Sequence, residues 1–290
     1  MNTIKNKKLN SILILGFGFL TKSIIKKISD NSSFNIICLC KKKPIIKYNN
    51  TKFIQIADFF KSSNLEIDVF INGIGNINHD SFLSSSEKKI ANDHFYLPMK
   101  VLNKLNLKKK ILFLQISSID EVIQKNKKFD YYFSPYAFFK NVFSEYLLTL
   151  DANNFIDCRL IYLNSVYGPN QKKDRFIPNL LNCYANNSNI KITNPTKKRN
   201  FIYVEDFANN FFHLLTNYNN YKKKVIFKSK FDYRIKDIVN YVYSNRDQST
   251  KLKKYNTANI NSKQFDIIFI KEEKSLKFYL NYLISLVKND

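Results

Sequence analysis

Short apolar runs alternate with amphipathic stretches through the first 165 residues, and this alternation restricts the fold more than any other feature. Short apolar runs indicate buried strands, whereas apolar residues that recur with helical periodicity indicate amphipathic helices. Strands that alternate with helices form βαβ units, which build a parallel sheet covered by helices on both faces. The pattern therefore predicts an α/β fold with a doubly wound parallel sheet over residues 1–164.

The predicted elements become less regular after residue 168. In the first part we predict strands at residues 11–15, 35–40, 53–56, 69–71, 111–116 and 155–162, and helices at 20–28, 87–105 and 136–150. In the second part we predict helices at residues 177–185, 205–215, 235–243 and 273–287, and strands at 190–193, 201–204 and 225–228. Residues 165–290 are expected to form a small α/β substrate-binding lobe, with some segments returning to the core.

The composition is that of a globular protein, and it weakens the argument for a nucleic-acid partner. Hydrophobic residues make up 44% and aromatic residues 15% of the 290 residues, which excludes a disordered chain. The net charge of +24 is typical of proteins that bind nucleic acids or anionic membranes. The lysines lie in scattered short runs, however, and lysine, asparagine and isoleucine are abundant throughout, as in AT-rich coding. We expect a solvated basic surface and no nucleic-acid partner.

Cysteine usage and hydropathy predict a cytoplasmic protein without a metal site. Four dispersed cysteines are too few for a disulfide framework, so reduced thiols are expected. No run of about eighteen apolar residues occurs, so we expect no transmembrane helix and no membrane partner. The basic and then apolar start of the chain lacks the Ala-x-Ala-like cleavage site of a secretory signal. Cys38-x-Cys40 has no second cysteine pair, and the histidines His79, His94 and His213 are dispersed.

A glycine-rich turn follows the first predicted strand and precedes the first predicted helix. It begins at Gly16 and reads Gly-Phe-Gly-Phe-Leu-Thr. At such a turn a dinucleotide pyrophosphate docks against the helix N-terminus, because Gly16 permits the tight turn and Gly18 lets the backbone approach phosphate. We expect Phe19 and Leu20 to contribute to the same site. The third small position is Thr21 rather than glycine, which makes the fingerprint imperfect.

The end of the second predicted strand indicates which dinucleotide binds. An aspartate or glutamate there would bind the ribose hydroxyls of NAD, but this chain has a run of lysines instead. Lys41 and Lys42 can neutralise a 2′-phosphate, which favours NADP and leaves NAD as the alternative. Asp58 is placed to face the adenine edge or to lie in an exposed loop.

A Tyr-x-x-x-Lys pattern places Tyr136 and Lys140 one helical turn apart, where the ammonium makes the phenol proton easier to exchange. The same pattern starts at Tyr48, Tyr96 and Tyr218, so it is weak evidence alone. Tyr136 differs because it opens a helix and follows a strand that ends in two serines. The hydroxyl of Ser118 could polarise a carbonyl opposite Tyr136, or it could cap a helix.

The order of these features resembles that in the extended short-chain dehydrogenase/reductases, the NAD-dependent epimerase/dehydratase family of nucleotide-sugar enzymes. Val-Tyr-Gly-Pro at residues 166–169 and Arg-Asn-Phe-Ile-Tyr-Val-Glu-Asp at residues 199–206 complete the likeness. In the second block Asn200 replaces the aspartate of the family. The resemblance covers residues 11 to about 216 and weakens afterwards.

The resemblance implies a Rossmann-like cofactor domain and a role for each matched residue. Gly16 and Gly18 would hold the pyrophosphate of the cofactor, and Arg199 would bind the diphosphate of the sugar nucleotide. Tyr136 and Lys140 would also contact the cofactor. The catalytic residues would be Ser118, Tyr136 and Lys140.

Two further likenesses within the family point to different reactions. Asp120 and Glu121 are similar to the acid pair of the sugar 4,6-dehydratases, but Ile119 stands where those enzymes carry threonine. The short serine-to-tyrosine spacing, Glu145, and the stretch that starts at Arg175 are similar to the reductases that make 3,6-dideoxyhexoses such as CDP-abequose.

The function we expect is reduction of a 4-keto group on a nucleotide-linked deoxysugar, with a proton from Tyr136. The reduced sugar nucleotide would then be used in surface polysaccharide synthesis. A nucleotide-sugar 4-epimerase or dehydratase of the same family is the alternative. A non-catalytic NAD(P)-binding regulatory protein is the alternative from another class. The sequence leaves open whether the chain forms a homodimer.

Overall fold

A computed structural model describes residues 9–62, 65–75, 82–105, 109–125, 134–244, 252–256, 263–270 and 275–289. The chain divides into two compact units. The first comprises Met1–Tyr162 with Leu215–Val225, and the second comprises Leu163–Leu214 with Ile226–Asp290. His79 lies outside the described residues.

The first unit is built on a largely parallel sheet. Its strands are β1 (Ser11–Leu15), β2 (Asn35–Cys40), β3 (Thr51–Gln55), β4 (Val69–Asn72), β5 (Ile111–Ser118) and β6 (Ile156–Leu163). Their order across the sheet is β6-β5-β4-β1-β2-β3. The strand β1 pairs in parallel with β2 and β4, β2 with β3, and β4 with β5. This is the Rossmann order, in which ligands bind beyond the carboxyl ends of the strands, where the order reverses between β1 and β4.

Helices cover this sheet: α1 (Phe19–Asn31), α2 (Ile56–Lys61), α3 (Glu87–Ala91), α4 (Leu97–Lys104), α5 (Ile119–Lys125) and α6 (Pro135–Ala152). The helix α1 forms because Ile24, Ile25 and Ile28 make one apolar stripe, which is fully buried. The four residues Ile12–Leu15 of β1 are also fully buried. The core therefore fixes the carboxyl end of β1 and the N-terminus of α1 together.

The helix predicted at residues 87–105 is continuous but contains a π-helical segment, Asn92–Tyr96, between α3 and α4. Pro98 stands at the start of α4 and has no N–H to donate to the carbonyl four residues earlier. The local change of hydrogen-bond register accommodates this missing donor. The π-helical segment packs against α6 and carries Asp93 and His94, both buried.

The second unit contains a small mixed sheet in the order β11-β10-β8-β7. Its strands are β7 (Ser165–Tyr167), β8 (Lys198–Tyr203), β10 (Phe231–Arg234) and β11 (Tyr255–Asn256). Two further strands, β9 (Lys224–Lys228) and β12 (Asp266–Phe269), pair with each other outside this small sheet. The helices are α7 (Phe176–Ala185), α8 (Val204–Thr216), α9 (Ile235–Ser244) and α10 (Leu276–Asn289). Three buried tyrosines, Tyr167, Tyr203 and Tyr279, pack with ring centroids 5.2–5.6 Å apart. The α/β fold with a parallel sheet is as predicted.

The strand predicted at residues 190–193 is wrong. Ile190 and Ile192 lie outside the strands and pack, partly buried, against the core of the second unit. Their apolar alternation therefore reflects packing of an irregular segment and not a sheet ladder. Among the described residues, no helix is both long and apolar enough to cross a membrane.

Candidate functional site

The turn between β1 and α1 has the geometry expected of a phosphate-binding turn. Gly16 adopts a φ of 96°, a left-handed conformation that favours glycine, and its N–H donates to the Leu39 carbonyl over 2.9 Å. Gly18 is the N-cap of α1, and its N–H donates to Thr21 Oγ1 over 2.7 Å. A Cβ placed on Gly18 would have no described atom within 4 Å. The space before the helix N-terminus is therefore open to an anionic ligand.

Thr21, the imperfect third position of the fingerprint, packs against Gly73, which directly follows β4. Thr21 is buried, and a Cβ on Gly73 would lie only 2.1 Å from Thr21 Cγ2. The bulk added at Thr21 is thus offset by the absence of a side chain at Gly73. Gly73 was not predicted as part of the site, although a glycine directly after a buried strand was the available signal.

The end of β2 presents exposed lysines, as predicted, but also a carboxylate from another element. The Nζ of Lys41 lies 3.8 Å from Asp93 Oδ1, and the Asp93 side chain is only 5% exposed. Lys42 is exposed, and Asp58 is exposed in the first turn of α2. Asp93 was not predicted at this position, because it follows β4 in the chain and not β2.

Tyr136 and Lys140 lie together on the buried face of α6. The hydroxyl of Ser134 caps this helix by accepting from the Ala137 N–H over 3.3 Å. Tyr136 is 4% and Lys140 is 3% exposed, and Lys140 Nζ lies 5.7 Å from the centroid of the tyrosine ring. Lys140 Nζ also donates to the Ile116 carbonyl of β5 over 2.6 Å. The phenol and the ammonium therefore meet at the carboxyl end of β5.

The other three Tyr-x-x-x-Lys matches lack this arrangement, since the lysine of each is exposed. Tyr48 packs against Phe53 before β3, with ring centroids 6.3 Å apart. Tyr96 is 48% exposed in the π-helical segment. Tyr218 lies in a 3-10 turn, where its carbonyl accepts from Arg159. Only at Tyr136 are both members of the pair buried.

The serines at the end of β5 begin α5 with a capping arrangement. Ser118 Oγ accepts from the Asp120 N–H and donates to Asp120 Oδ2, both over 3.2 Å. Ser117 is buried, and its Oγ lies 3.4 Å from Ser144 Oγ on α6. Ser118 thus lies at the predicted strand end, but its hydroxyl must leave Asp120 before it can donate to a substrate.

Glu121 turns inward from α5 instead of facing the space above the sheet. Its Oε1 accepts from the Ser118 N–H over 2.9 Å, its Oε2 accepts from Ser144 Oγ over 3.0 Å, and the residue is 2% exposed. Burial raises the pKa of Glu121, which the charge of Lys140 and these hydrogen bonds oppose. Sequence reasoning missed this role, although Ser-x-x-Glu is the signature of a capping box.

His94 packs against Tyr136. Its buried ring meets the tyrosine ring edge to face, with centroids 5.1 Å apart and an interplanar angle of 84°. The sequence indicated only that the histidines are dispersed, and it gave His94 no role. Among the described residues, no group of three His, Cys, Asp or Glu side chains could hold a metal ion.

Arg199 lies in β8 of the second unit, where its register partner is Tyr233 of β10. Its assignment to the substrate diphosphate stays a prediction. Asn200, the substitution within the family block, is buried, and its Nδ2 lies 3.0 Å from the Ser229 carbonyl and 2.8 Å from Asp232 Oδ1. The Asn200 side chain therefore stabilises β10 and the turn before it through hydrogen bonds.

Comparisons with known proteins concern the family and the fold of the chain. The sequence profile of the NAD dependent epimerase/dehydratase family matches residues 12–228. The CDP-abequose synthase of Salmonella typhimurium is 25% identical over 213 residues, which cover 69% of this chain and 68% of that protein. A variant UDP-glucuronic acid 4-epimerase of Bacillus cereus, in complex with UDP-4-deoxy-4-fluoro-glucuronic acid and NAD, superposes with a TM-score of 0.74 and 16% identity, covering 96% of this chain and 99% of that chain. The UDP-glucose 4-epimerase of Thermotoga maritima with UDP-glucose has a TM-score of 0.68 and 14% identity, covering 96% and 99%.

The contact between Thr21 and Gly73 predicts a steric dependence between the two positions. Gly73→Ala should lower the free energy of unfolding by about 1–3 kcal/mol, because the new Cβ would overlap Thr21 Cγ2. Thr21→Ser removes Cγ2 and keeps the hydroxyl that bonds Gly18, so Gly73→Ala should cost much less in that background. Urea unfolding of the four proteins measures this coupling. An equal loss in both backgrounds would contradict it.

Proposed function

The chain belongs to the NAD-dependent epimerase/dehydratase family, and we propose that it is an oxidoreductase that reduces a 4-keto group on a nucleotide-linked deoxysugar. The observation that carries the proposal is the buried pair of Tyr136 and Lys140 at the carboxyl end of β5. A phenol beside an ammonium is suited to donate a proton to a carbonyl oxygen that becomes an alkoxide. The likeness to CDP-abequose synthase favours reduction over the other reactions of the family.

The turn at the start of α1 fits a nicotinamide dinucleotide. Gly16 allows the tight turn of the backbone, and Gly18 leaves open space where the pyrophosphate would lie, at the positive end of α1. When bound, the cofactor supplies the hydride. We propose NADP, because Lys41 and Lys42 provide positive charge at the end of β2. Asp93 partly neutralises Lys41, so Lys42 is the stronger candidate for a 2′-phosphate.

Each catalytic residue has a separate task in this proposal. Tyr136 donates its hydroxyl proton to the oxygen of the 4-keto group, and the positive charge of Lys140 favours the phenolate that remains. Lys140 also orients the nicotinamide ribose. Ser118 exchanges its bond to Asp120 for a bond to the same keto oxygen, and this bond strengthens as negative charge develops. Arg199 binds the diphosphate of the substrate.

Two other reactions of the family, 4-epimerisation and 4,6-dehydration, can be distinguished from the proposed reduction. A 4-epimerase would use the same Tyr136 and Lys140, and the solved structures that resemble the chain include two such epimerases. It would interconvert two sugar nucleotides without net consumption of reduced cofactor. A 4,6-dehydratase is disfavoured, because both oxygens of Glu121 are engaged in buried hydrogen bonds and Ile119 offers no hydroxyl.

The open space at Gly18 predicts a variant that folds but does not bind cofactor. Gly18→Val should unfold like the wild type, because a Cβ meets no described atom within 4 Å and the extended backbone suits valine. Its affinity for NADPH should fall more than about tenfold, because the side chain occupies the phosphate space. Titration of cofactor fluorescence measures the affinity. Unchanged binding by a folded variant would move the cofactor away from this turn.

The lysines at the end of β2 predict the cofactor preference. Replacing Lys41 and Lys42 with alanine should weaken NADPH binding by roughly 1–3 kcal/mol and leave NADH binding nearly unchanged. Lys47→Ala, an exposed lysine of the same loop, is the matched control. Wild-type protein that binds NADH as tightly as NADPH would refute the proposed selectivity.

The buried pair predicts which tyrosine carries the proton. Tyr136→Phe should keep the fold and the cofactor affinity but lower turnover by about 10²–10⁴-fold, because a positioned acid is lost. Tyr96→Phe is the control, since its lysine at the same spacing is exposed. Turnover is measured with a panel of CDP-, dTDP- and UDP-linked 4-keto-deoxysugars. Full activity of the Tyr136→Phe protein would refute the mechanism, and a wild type that turns over no member of the panel would refute the reductase.

A further inference from the structure

Glu121 is a buried carboxylate of the described site to which the proposed reaction assigns no role. It is 2% exposed and lies at the start of α5, directly after the strand end that carries Ser118. A buried carboxylate is costly unless its charge is compensated. Its contacts should therefore reveal what it does.

The two oxygens of Glu121 connect two elements of the site. Oε1 accepts from the Ser118 N–H at the end of β5, and Oε2 accepts from Ser144 Oγ on α6. Ser144 lies one helical turn after Lys140 and two turns after Tyr136. The carboxylate thus links the backbone of the strand-end serine to the helix face that carries the tyrosine and the lysine.

The contacts of Glu121 also fit an ionised carboxylate. A backbone N–H and a hydroxyl point at its two oxygens, which is the arrangement that an ionised carboxylate accepts. Burial lowers the pKa of Lys140, and the negative charge of Glu121 opposes that effect. Lys140 donates to the Ile116 carbonyl, a neutral group that supplies no full countercharge.

We propose that Glu121 is a positioning residue, which ties the end of β5 to α6 and supplies the negative charge that keeps the buried Lys140 protonated. This role deepens the proposed function and rests on it for its catalytic meaning. It differs from that of a base that removes a proton from substrate, because both oxygens are directed into the protein. Glu121 acts through Lys140 and Ser118 and does not itself touch the reacting atoms.

Other titratable groups lie on the described elements around this pair. They are Asp120 on α5, Asp93 and His94 on the π-helical segment, Glu145 and Tyr146 on α6, and Glu87, Lys88 and Lys89 on α3. Asp120 is half-buried and bonded to Ser118, and Asp93 lies against Lys41. A test must therefore follow the titration of Lys140 itself and use a charge-matched control elsewhere on α6.

The test is the titration of Lys140 in protein labelled with ¹³C at lysine Cε, followed by NMR. The Lys140 signal is identified by its loss in Lys140→Arg. In Glu121→Gln the pKa of Lys140 should fall by about 1–3 units, because the countercharge is gone and burial remains. Glu121→Asp, which keeps the charge, should restore most of the shift. Glu145→Gln removes an exposed charge from the same helix and should leave the Lys140 titration unchanged.

The same variants predict the pH dependence of turnover. Lys140 must stay protonated for the reduction, so a lower pKa moves the alkaline loss of kcat to lower pH in Glu121→Gln and not in Glu145→Gln. A role that is only structural would lower the stability without moving this limb. A Lys140 titration in folded Glu121→Gln that matches the wild type would overturn the proposal.

The wild-type titration and the turnover assay cover two further outcomes. If Glu121→Gln does not fold, the wild-type titration decides, since the proposal requires a protonated Lys140 at neutral pH and is overturned by a neutral one. If the wild type reduces no 4-keto-sugar nucleotide, the proposed function fails, whereas the NMR titration still reports on Glu121. The two failures are therefore distinguishable.

Discussion

The burial of the Lys140 ammonium is the constraint on which the rest of the candidate site depends. An isolated buried charge is strongly unfavourable, so the surrounding elements must supply acceptors and an opposite charge. The Ile116 carbonyl accepts from Nζ, and Glu121 provides the negative charge. Both come from the end of β5 and the start of α5. The helix α6 can carry a charged lysine on its inner face only while that strand end keeps its shape, which couples Tyr136 to Ser118.

The strand order explains why these groups lie at the same edge of the sheet as the glycine-rich turn after β1. Parallel strands present their carboxyl ends at one edge, and the order reverses between β1 and β4. The turn after β1 therefore lies beside the loop after β4, where Gly73 makes room for Thr21. Polar groups of the site come from loops and helix starts, whereas the fully buried residues of β1 contribute only position. The chemistry is carried by few side chains on a rigid apolar sheet.

Most elements that depend on local sequence pattern were predicted correctly. The parts of the site that depend on contacts between residues far apart in the chain were not. The alternation of strands and helices located β1 and β2 to the residue, because their apolar runs are continuous, and it located helix α6 to within two residues at each end. Tyr136 and Lys140 were selected by spacing and context. Gly73 and Asp93 were missed, because each is defined by a contact across the fold. The inward direction of Glu121 was missed although its capping box is a local pattern, and its second contact, to Ser144 on α6, is not local. The strand at residues 190–193 was wrong, since apolar alternation alone cannot distinguish a ladder from an irregular packed segment.

The glutamate of the Asp-Glu motif after β5 is directed into the protein. Asp-Glu after a strand-end serine matches the acid pair of the sugar 4,6-dehydratases in sequence, yet here the capping box turns the glutamate toward the Ser118 N–H. Ser144 then holds the second oxygen, and both are withdrawn from the space above the sheet. In the proposed role, a serine one turn beyond the lysine thus helps to hold this carboxylate as an internal countercharge. The direction of the carboxylate depends on a residue outside the motif, so the local motif alone does not specify its role.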